Sequence, residues 1–423
     1  MRSFLCRSVR GTAAAVPLLL LARCGSAQPG NMSASTPPTV DAGSGTDGGS
    51  TGGAGDTGTG VDAGPQTGPT GRTGIVEASD VSTDCAGVLP TAIPASHGLI
   101  VPHQIGELCV DATTDQQGNI AASHAPADNP FGRSTWEAFS SAGDHSGAFA
   151  TFRRPVFPQD SGFQGVVMDG NTPAMRQDLV QWDAVGRELR RTEVGGGDGF
   201  AGIPHQSSVG GTLVVNQSTN AILVRMTRFD SVGNVLWART AFAAQHYDGR
   251  TLLAQAIVDV RGFTLALFEP GDLVGQSTPQ AARWYDALGD PATVFFALPG
   301  VPSSTPSSQV SLRPTIDGGV AIAFGEKWIA AIKSGETKLD EAPAWLATNP
   351  GSDFEIIRQR NAYAVMLSDS APRNMLKLYS PSGRLCGRVS FDTGSVSMGS
   401  DGTVIGADGE GGCIRPFWPA LLR

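Results

Sequence analysis

The stretch RFDSVGNVLWART, Arg228–Thr240, sets an Asp-x-x-Gly tetrapeptide between two short apolar runs. Asp230 can accept hydrogen bonds from backbone amides two or three residues on, and Gly233 can supply the positive φ that closes a hairpin without splaying its strands. The same plan appears in QWDAVGRELRRTEV (Gln181–Val194), RWYDALGDPATVFFAL (Arg283–Leu298) and KLYSPSGRLCGRVSF (Lys377–Phe391). TWEAFSSAGDHSGAFATF (Thr135–Phe152) and KWIAAIKSGETKL (Lys327–Leu339) are looser copies. Their turn glycines, Gly143, Gly186, Gly233, Gly289, Gly335 and Gly383, are separated by 43, 47, 56, 46 and 48 residues. The hairpin is therefore one copy of a unit that the chain repeats.

A second element precedes each copy: a turn residue followed by a small apolar strand. It reads GNIAA at Gly118, GFQGVVM at Gly162, GGTLVV at Gly210, GFTLALF at Gly262, GGVAIAF at Gly318, NAYAVML at Asn361 and DGTVIGA from Asp401. A period in the forties built of short strands is the range of β-propeller blades. The fold class is all-β, a single β-propeller of seven blades, with six as the alternative count. The seventh blade runs out of chain after GCIRPFW (Gly412–Trp418). Its missing outer strand is expected from the N-terminal side, for instance GLIVP (Gly98–Pro102), a closure that seals open sheet edges. Asp183, Asp230 and Asp286 read as turn caps, not ligands, with Ser140 and Ser380 in the same role. Trp136, Trp182, Phe229, Trp284, Tyr285, Trp328 and Tyr379 precede the turns and are expected to pack between blades. No helix is expected, and PQAARWYDAL reads as a strand.

The composition agrees: charged residues are 16% and glycines number 55, poor material for solvated helices and good material for strands and turns. Net charge −9, with no basic stripe, excludes a nucleic-acid partner. Residues 1–27 read as an export signal, with Arg2, Arg7 and Arg10 before the apolar run Thr12–Ala22, which is too short to span a bilayer. LARC (Leu21–Cys24) is similar to a bacterial lipobox, which would make Cys24 a lipid anchor; Arg23 departs from that pattern, and ordinary cleavage after Ala27 is the alternative. Either way the protein is expected outside the cytoplasm, attached to a membrane only through such a lipid. Residues 28–78, rich in Gly, Ser, Thr and Asp, read as a disordered linker that cannot bury enough apolar surface to order. The propeller is expected over 79–423, as a monomer.

Cys85, Cys109, Cys386 and Cys413 are an even set, read as two disulfides in an oxidising compartment. Nearness in sequence favours Cys85–Cys109 and Cys386–Cys413; the rival arrangement joins each N-terminal cysteine to a C-terminal one and staples the ring shut. No C-x-x-C or Cys/His spacing marks a metal site, and nothing calls for a cofactor. The six histidines lack H-E-x-x-H or H-x-H spacing, Asp144-His145 being a weak metal candidate in a hairpin turn. GGGDGF (Gly195–Phe200) lacks the Lys-Ser/Thr of a phosphate loop, and no G-x-S-x-G elbow occurs. No catalytic residue is assigned. Propellers carry function in loops at one face; the densest polar and aromatic group in such a loop is His246, Tyr247, Asp248 and Arg250, the candidate binding patch.

The Asp-x-x-Gly turn followed by an apolar pair, best seen in DSVGNVLW, resembles the repeats of bacterial extracytoplasmic β-propellers, a broad group that includes the pyrroloquinoline-quinone-type propellers. The adjacent Cys-Cys pair and regular Trp motif of quinoprotein dehydrogenases are missing here. The chain is similar instead to the non-catalytic propeller lipoproteins of the cell envelope. That resemblance implies a binding or scaffold protein for a protein or glycan at the cell surface; the alternative is a polysaccharide hydrolase or lyase acting from the channel face.

Overall fold

The repeated stretches fold into hairpins, and the hairpins build seven antiparallel sheets arranged as the blades of a propeller. The computed structural model describes residues 73–128, 133–152, 156–168, 176–195, 203–217, 224–241, 251–270, 281–298, 310–349, 352–367, 374–393, 395–407 and 413–423. The first two strands, β1 (Gly74–Ala78) and β2 (His97–Ile100), belong to the last two blades. Blade 1 comprises β3 (Glu107–Thr114), β4 (Ile120–Pro126), β5 (Arg133–Phe139) and β6 (His145–Phe152). Blade 2 comprises β7 (Val156–Pro158), β8 (Phe163–Met168), β9 (Gln177–Trp182) and β10 (Glu188–Gly195). Blade 3 comprises β11 (Ile203–Gln206), β12 (Thr212–Gln217), β13 (Val224–Phe229) and β14 (Val235–Ala241). Blade 4 comprises β15 (Thr251–Val258), β16 (Thr264–Pro270), β17 (Ala281–Tyr285) and β18 (Phe296–Ala297). Blade 5 comprises β19 (Val310–Pro314), β20 (Val320–Phe324), β21 (Lys327–Ile332) and β22 (Leu339–Glu341). Blade 6 comprises β23 (Asp353–Ile357), β24 (Ala362–Leu367), β25 (Asn374–Tyr379) and β26 (Leu385–Phe391). Blade 7 comprises β27 (Ser395–Met398), β28 (Val404–Ala407) and β29 (Ile414–Trp418).

The turn chemistry read from the sequence holds in detail. Asp183 Oδ1 accepts the Val185 and Arg187 amides, Asp230 Oδ1 those of Val232 and Asn234, and Asp286 Oδ1 those of Leu288 and Asp290. The second bond of each pair reaches four residues on, one further than expected. Ser140 Oγ and Ser380 Oγ make the corresponding bonds in blades 1 and 6. All six turn glycines have φ between 71° and 91°, the left-handed region that only glycine enters without strain. Asn361, standing where other copies carry Gly, adopts φ 46°.

Blades stack face to face, so their second strands are buried on both sides and read as nearly continuous small apolar runs. β4 and β20 show this best. Larger rings fill the gaps between blades. Phe149 of blade 1 stacks on Trp182 of blade 2 at 4.6 Å, and Phe391 of blade 6 meets Trp418 of blade 7 at 4.7 Å. The seven aromatic residues expected at this layer are all buried.

Polar clamps also run from blade to blade at the turns after the innermost strands. Asp115 accepts the Gly162 amide, Gln159 the Gly211 amide and Asp259 the Gly319 amide. Across the closing seam, Thr114 donates to Asp401 at 2.5 Å.

Closure follows the expected route. β2 pairs with β29, His97 opposite Phe417 and Ile100 opposite Ile414, and so completes blade 7 with a strand from the other end of the chain. Residues 74–78, which the sequence assigns to the linker, instead form β1 and pair along β26 as a fifth strand on blade 6.

The cysteine pairing favoured by sequence distance is overturned. The bridges are Cys85–Cys386 and Cys109–Cys413, spanning 301 and 304 residues. Ring closure lays the N-terminal segment against blades 6 and 7, so cysteines far apart in sequence become neighbours. One short helix was also unforeseen: α1 (Ala344–Ala347), where Trp345 and Leu346 are buried and Trp345 packs on Tyr363 and Tyr379 at 4.7 and 5.1 Å.

Candidate functional site: the central channel

The innermost strands β3, β7, β15, β19, β23 and β27, together with the turn after β11, line a cavity of about 720 Å³. Strand alternation decides which side chains reach it. On β23, Phe354 is buried in the blade, while Asp353 and Glu355, one pleat apart, share the opposite row and line the cavity. On β19, Leu312 is buried and Arg313 lines the cavity.

The strongest polar contact there joins these two blades. Arg313 Nε donates to Asp353 Oδ1 at 2.6 Å and Nη2 to Oδ2 at 2.5 Å, a two-pronged pairing that fixes both groups. The Phe354 amide donates to the same carboxylate at 2.9 Å. One pleat along, surrounding protein pushes the Glu355 acid up to about 7; Arg313 pulls it down and Asp353 pushes it further up. The site therefore holds one carboxylate gripped by a guanidinium and one that changes charge near neutrality.

A third carboxylate, Asp111 of β3, also lines the cavity. Desolvation raises its pKa, opposed by the Ala112 amide and by Arg415. Arg415 is buried in β29, and Asp111 is the charge that opposes its desolvation. Arg358 is the other channel cation, its pKa lowered by burial against the pull of Asp160. Gln116, Ser208, Ser311 and Ser397 add neutral donors and acceptors.

None of these charged residues was singled out from the sequence. The available signal was positional: each precedes or lies beside the turn that introduces a small apolar strand, in the segments VDATTD, SLRPTID and DFEIIR. The patch His246, Tyr247, Asp248 and Arg250 lies outside the described residues, as does Cys24. His145 is not free for a metal in its turn, because its Nε2 sits 2.8 Å from Glu137 Oε2. It ends a row across blade 1 in which buried His124 stands between Glu107 (2.8 Å) and Glu137 (3.3 Å). The row His145–Glu137–His124–Glu107 runs across the strands of blade 1. His97 packs on Phe417, ring centroids 5.4 Å apart.

No family model matches the chain, and no curated protein matches it in sequence. Among solved structures it is similar to a protein of unknown function from Bacteroides caccae, at 13% identity over 59% of this chain and 84% of that one, with a TM-score of 0.33. It is also similar to an α-L-arabinanase of Penicillium chrysogenum complexed with arabinobiose, at 13% identity over 70% of this chain and 98% of that one, TM-score 0.38. Prolyl oligopeptidase B of Galerina marginata shares 10% identity over 79% of this chain and 55% of that one, TM-score 0.44. Likenesses at this level bear on no residue of the channel, and the blade count rests on strand order.

Proposed function

We propose that this is an exported binding protein whose channel takes a neutral, hydroxyl-rich ligand, a short glycan. The observation that carries the reading is the channel's balance of charge. Asp353 is matched by Arg313, Asp111 has Arg415 at its back, and Glu355 is half neutral near pH 7. Walls of one sign would select ions. Balanced walls with fixed donors and acceptors instead suit hydroxyl groups, and the cavity, about 720 Å³, lies within the usual range for small-ligand sites. Export is supported by the basic and apolar N-terminal runs and by two disulfides, which persist in oxidising compartments. Among the described residues no helix is long and apolar enough to cross a membrane.

Calorimetric titration with a panel of oligosaccharides tests the reading. At least one should bind, and Arg313→Met should weaken it tenfold or more, about 1.4 kcal/mol. A panel that gives no heat, or binding indifferent to Arg313→Met, rejects the channel as a glycan site.

One observation favours a hydrolase as the second reading. Asp353 and Glu355 share one face of β23 and both line the cavity, a carboxylate pair of the kind glycoside hydrolysis uses. In this reading Glu355, its pKa raised by burial, is the acid and Asp353, held by Arg313, is the base. Release of reducing ends, abolished in both Asp353→Asn and Glu355→Gln, would establish this reading. Binding without turnover would dismiss it.

A further inference from the structure

At the seam where blade 7 meets blade 1, three metal-ligating side chains converge. Cys109 on β3 and Cys413, just before β29, form one of the bridges, and His103 follows β2. One donor atom from each of the three lies within 4.8 Å of the other two. They come from three separate segments and are neighbours only because the ring closes, which is why no Cys/His spacing appears in the sequence. His103 Nδ1 lies 3.0 Å from the Val101 carbonyl. A neutral ring donates its proton there and keeps the lone pair on Nε2, the arrangement that metal-binding histidines use.

We propose that this seam is a redox-gated zinc site: a disulfide when oxidised, and a Cys2His site for Zn²⁺ when Cys109 and Cys413 are thiols. The step balances. A dithiol reductant supplies two electrons and two protons to the S–S bond and leaves as its own disulfide; Zn²⁺ then displaces both thiol protons and binds two thiolates and the imidazole. That donor set is the three-ligand kind that leaves a fourth position for water. The two bridges differ in access. Cys85, Cys386 and Cys413 are 7%, 0% and 8% exposed, whereas Cys109 is half-buried beside exposed His103, so reductants reach the seam bridge first, at the Cys109 sulfur. Metal would then hold together the blades that the disulfide joined. This inference is independent of the channel.

The test uses the full chain, reduced under anaerobic conditions with a phosphine that binds metal weakly and then titrated with Co²⁺ as a spectroscopic stand-in for Zn²⁺. The reduced protein should take up one Co²⁺ with a thiolate-to-cobalt absorption in the near ultraviolet, and Zn²⁺ should displace it. The oxidised protein should show no such band. His103→Ala, at an exposed position that does not threaten folding, should weaken Co²⁺ tenfold or more while circular dichroism stays unchanged. Cys109→Ser should lose the band, and Cys85→Ser should keep it. A reduced wild-type protein without the band, or His103→Ala binding as tightly as wild type, overturns the proposal.

Discussion

On β23, two carboxylates one pleat apart meet opposite surroundings. Asp353 receives both prongs of Arg313, while burial lifts Glu355 from an ordinary value of 4.5 to about 7. Between those two values the folded chain holds a proton on Glu355 that the unfolded chain has released. Stability from this group is therefore fully present below about pH 4.5 and is lost as pH rises through about 7. Glu355→Gln should match wild type near pH 5 and be the more stable protein at pH 8, by about 1–3 kcal/mol, the lower end applying if channel water screens the charge. Thermal unfolding of both proteins from pH 5 to 8 decides it; parallel curves would remove the claim. The residue types here are ordinary, and no short motif marks Arg313, Asp353 or Glu355. What makes them a site is their row on an innermost strand, which is visible only once each strand has its place in a blade.

Elements were more legible, because a hairpin turn carries its chemistry within a few residues. Asp183 caps its own turn and nothing beyond, and the sequence discloses that much. Asp259 does more. Fully buried, it accepts the Arg261 and Phe263 amides of its own turn, the Gly319 amide of the next blade, and the Ser334 hydroxyl. Removing it strands several buried donors, so Asp259→Ala should cost about 3 kcal/mol or more, against about 1 kcal/mol for Asp183→Ala. Urea midpoints at constant slope would measure both, and equal losses would show that the blade-to-blade bond contributes nothing. Gly289 makes the same point sterically. At φ 80° it already excludes other residues, and a Cβ there would sit 2.5 Å from Trp237 of the preceding blade. Substitution by Ala should therefore disturb the interface between blades 3 and 4 as well as the turn. The blade contact behind each turn could not be read locally, since its partner lies some fifty residues away.

At the scale of the whole ring, strands β1 and β2 close against the C-terminal strands β26 and β29, and this is where sequence distance misleads. The strand that completes blade 7 could be anticipated, because a blade one strand short needs an edge partner. For the disulfides, sequence distance favours the local pairs, yet the rival that staples the ring is the one formed, because the pairing depends on where the N-terminal segment lies after closure. The pairing has an energetic signature. With one bridge in place, the other closes only the circuit made by the two spacers Cys85 to Cys109 and Cys386 to Cys413, about fifty residues, not three hundred. Chain entropy gives about 4 kcal/mol for that shorter circuit and nearly 6 kcal/mol for the long one. Losing either bridge alone should therefore cost about 4 kcal/mol, and losing both about 10 kcal/mol, more than the sum of the two single losses. Local pairs would instead close two separate short loops whose losses simply add. Chemical denaturation of Cys85→Ser/Cys386→Ser, Cys109→Ser/Cys413→Ser and the quadruple variant separates these cases. A quadruple variant that loses no more than the sum would mean that the two bridges do not share a ring, whereas failure of that variant alone to fold is what two staples on one closure require.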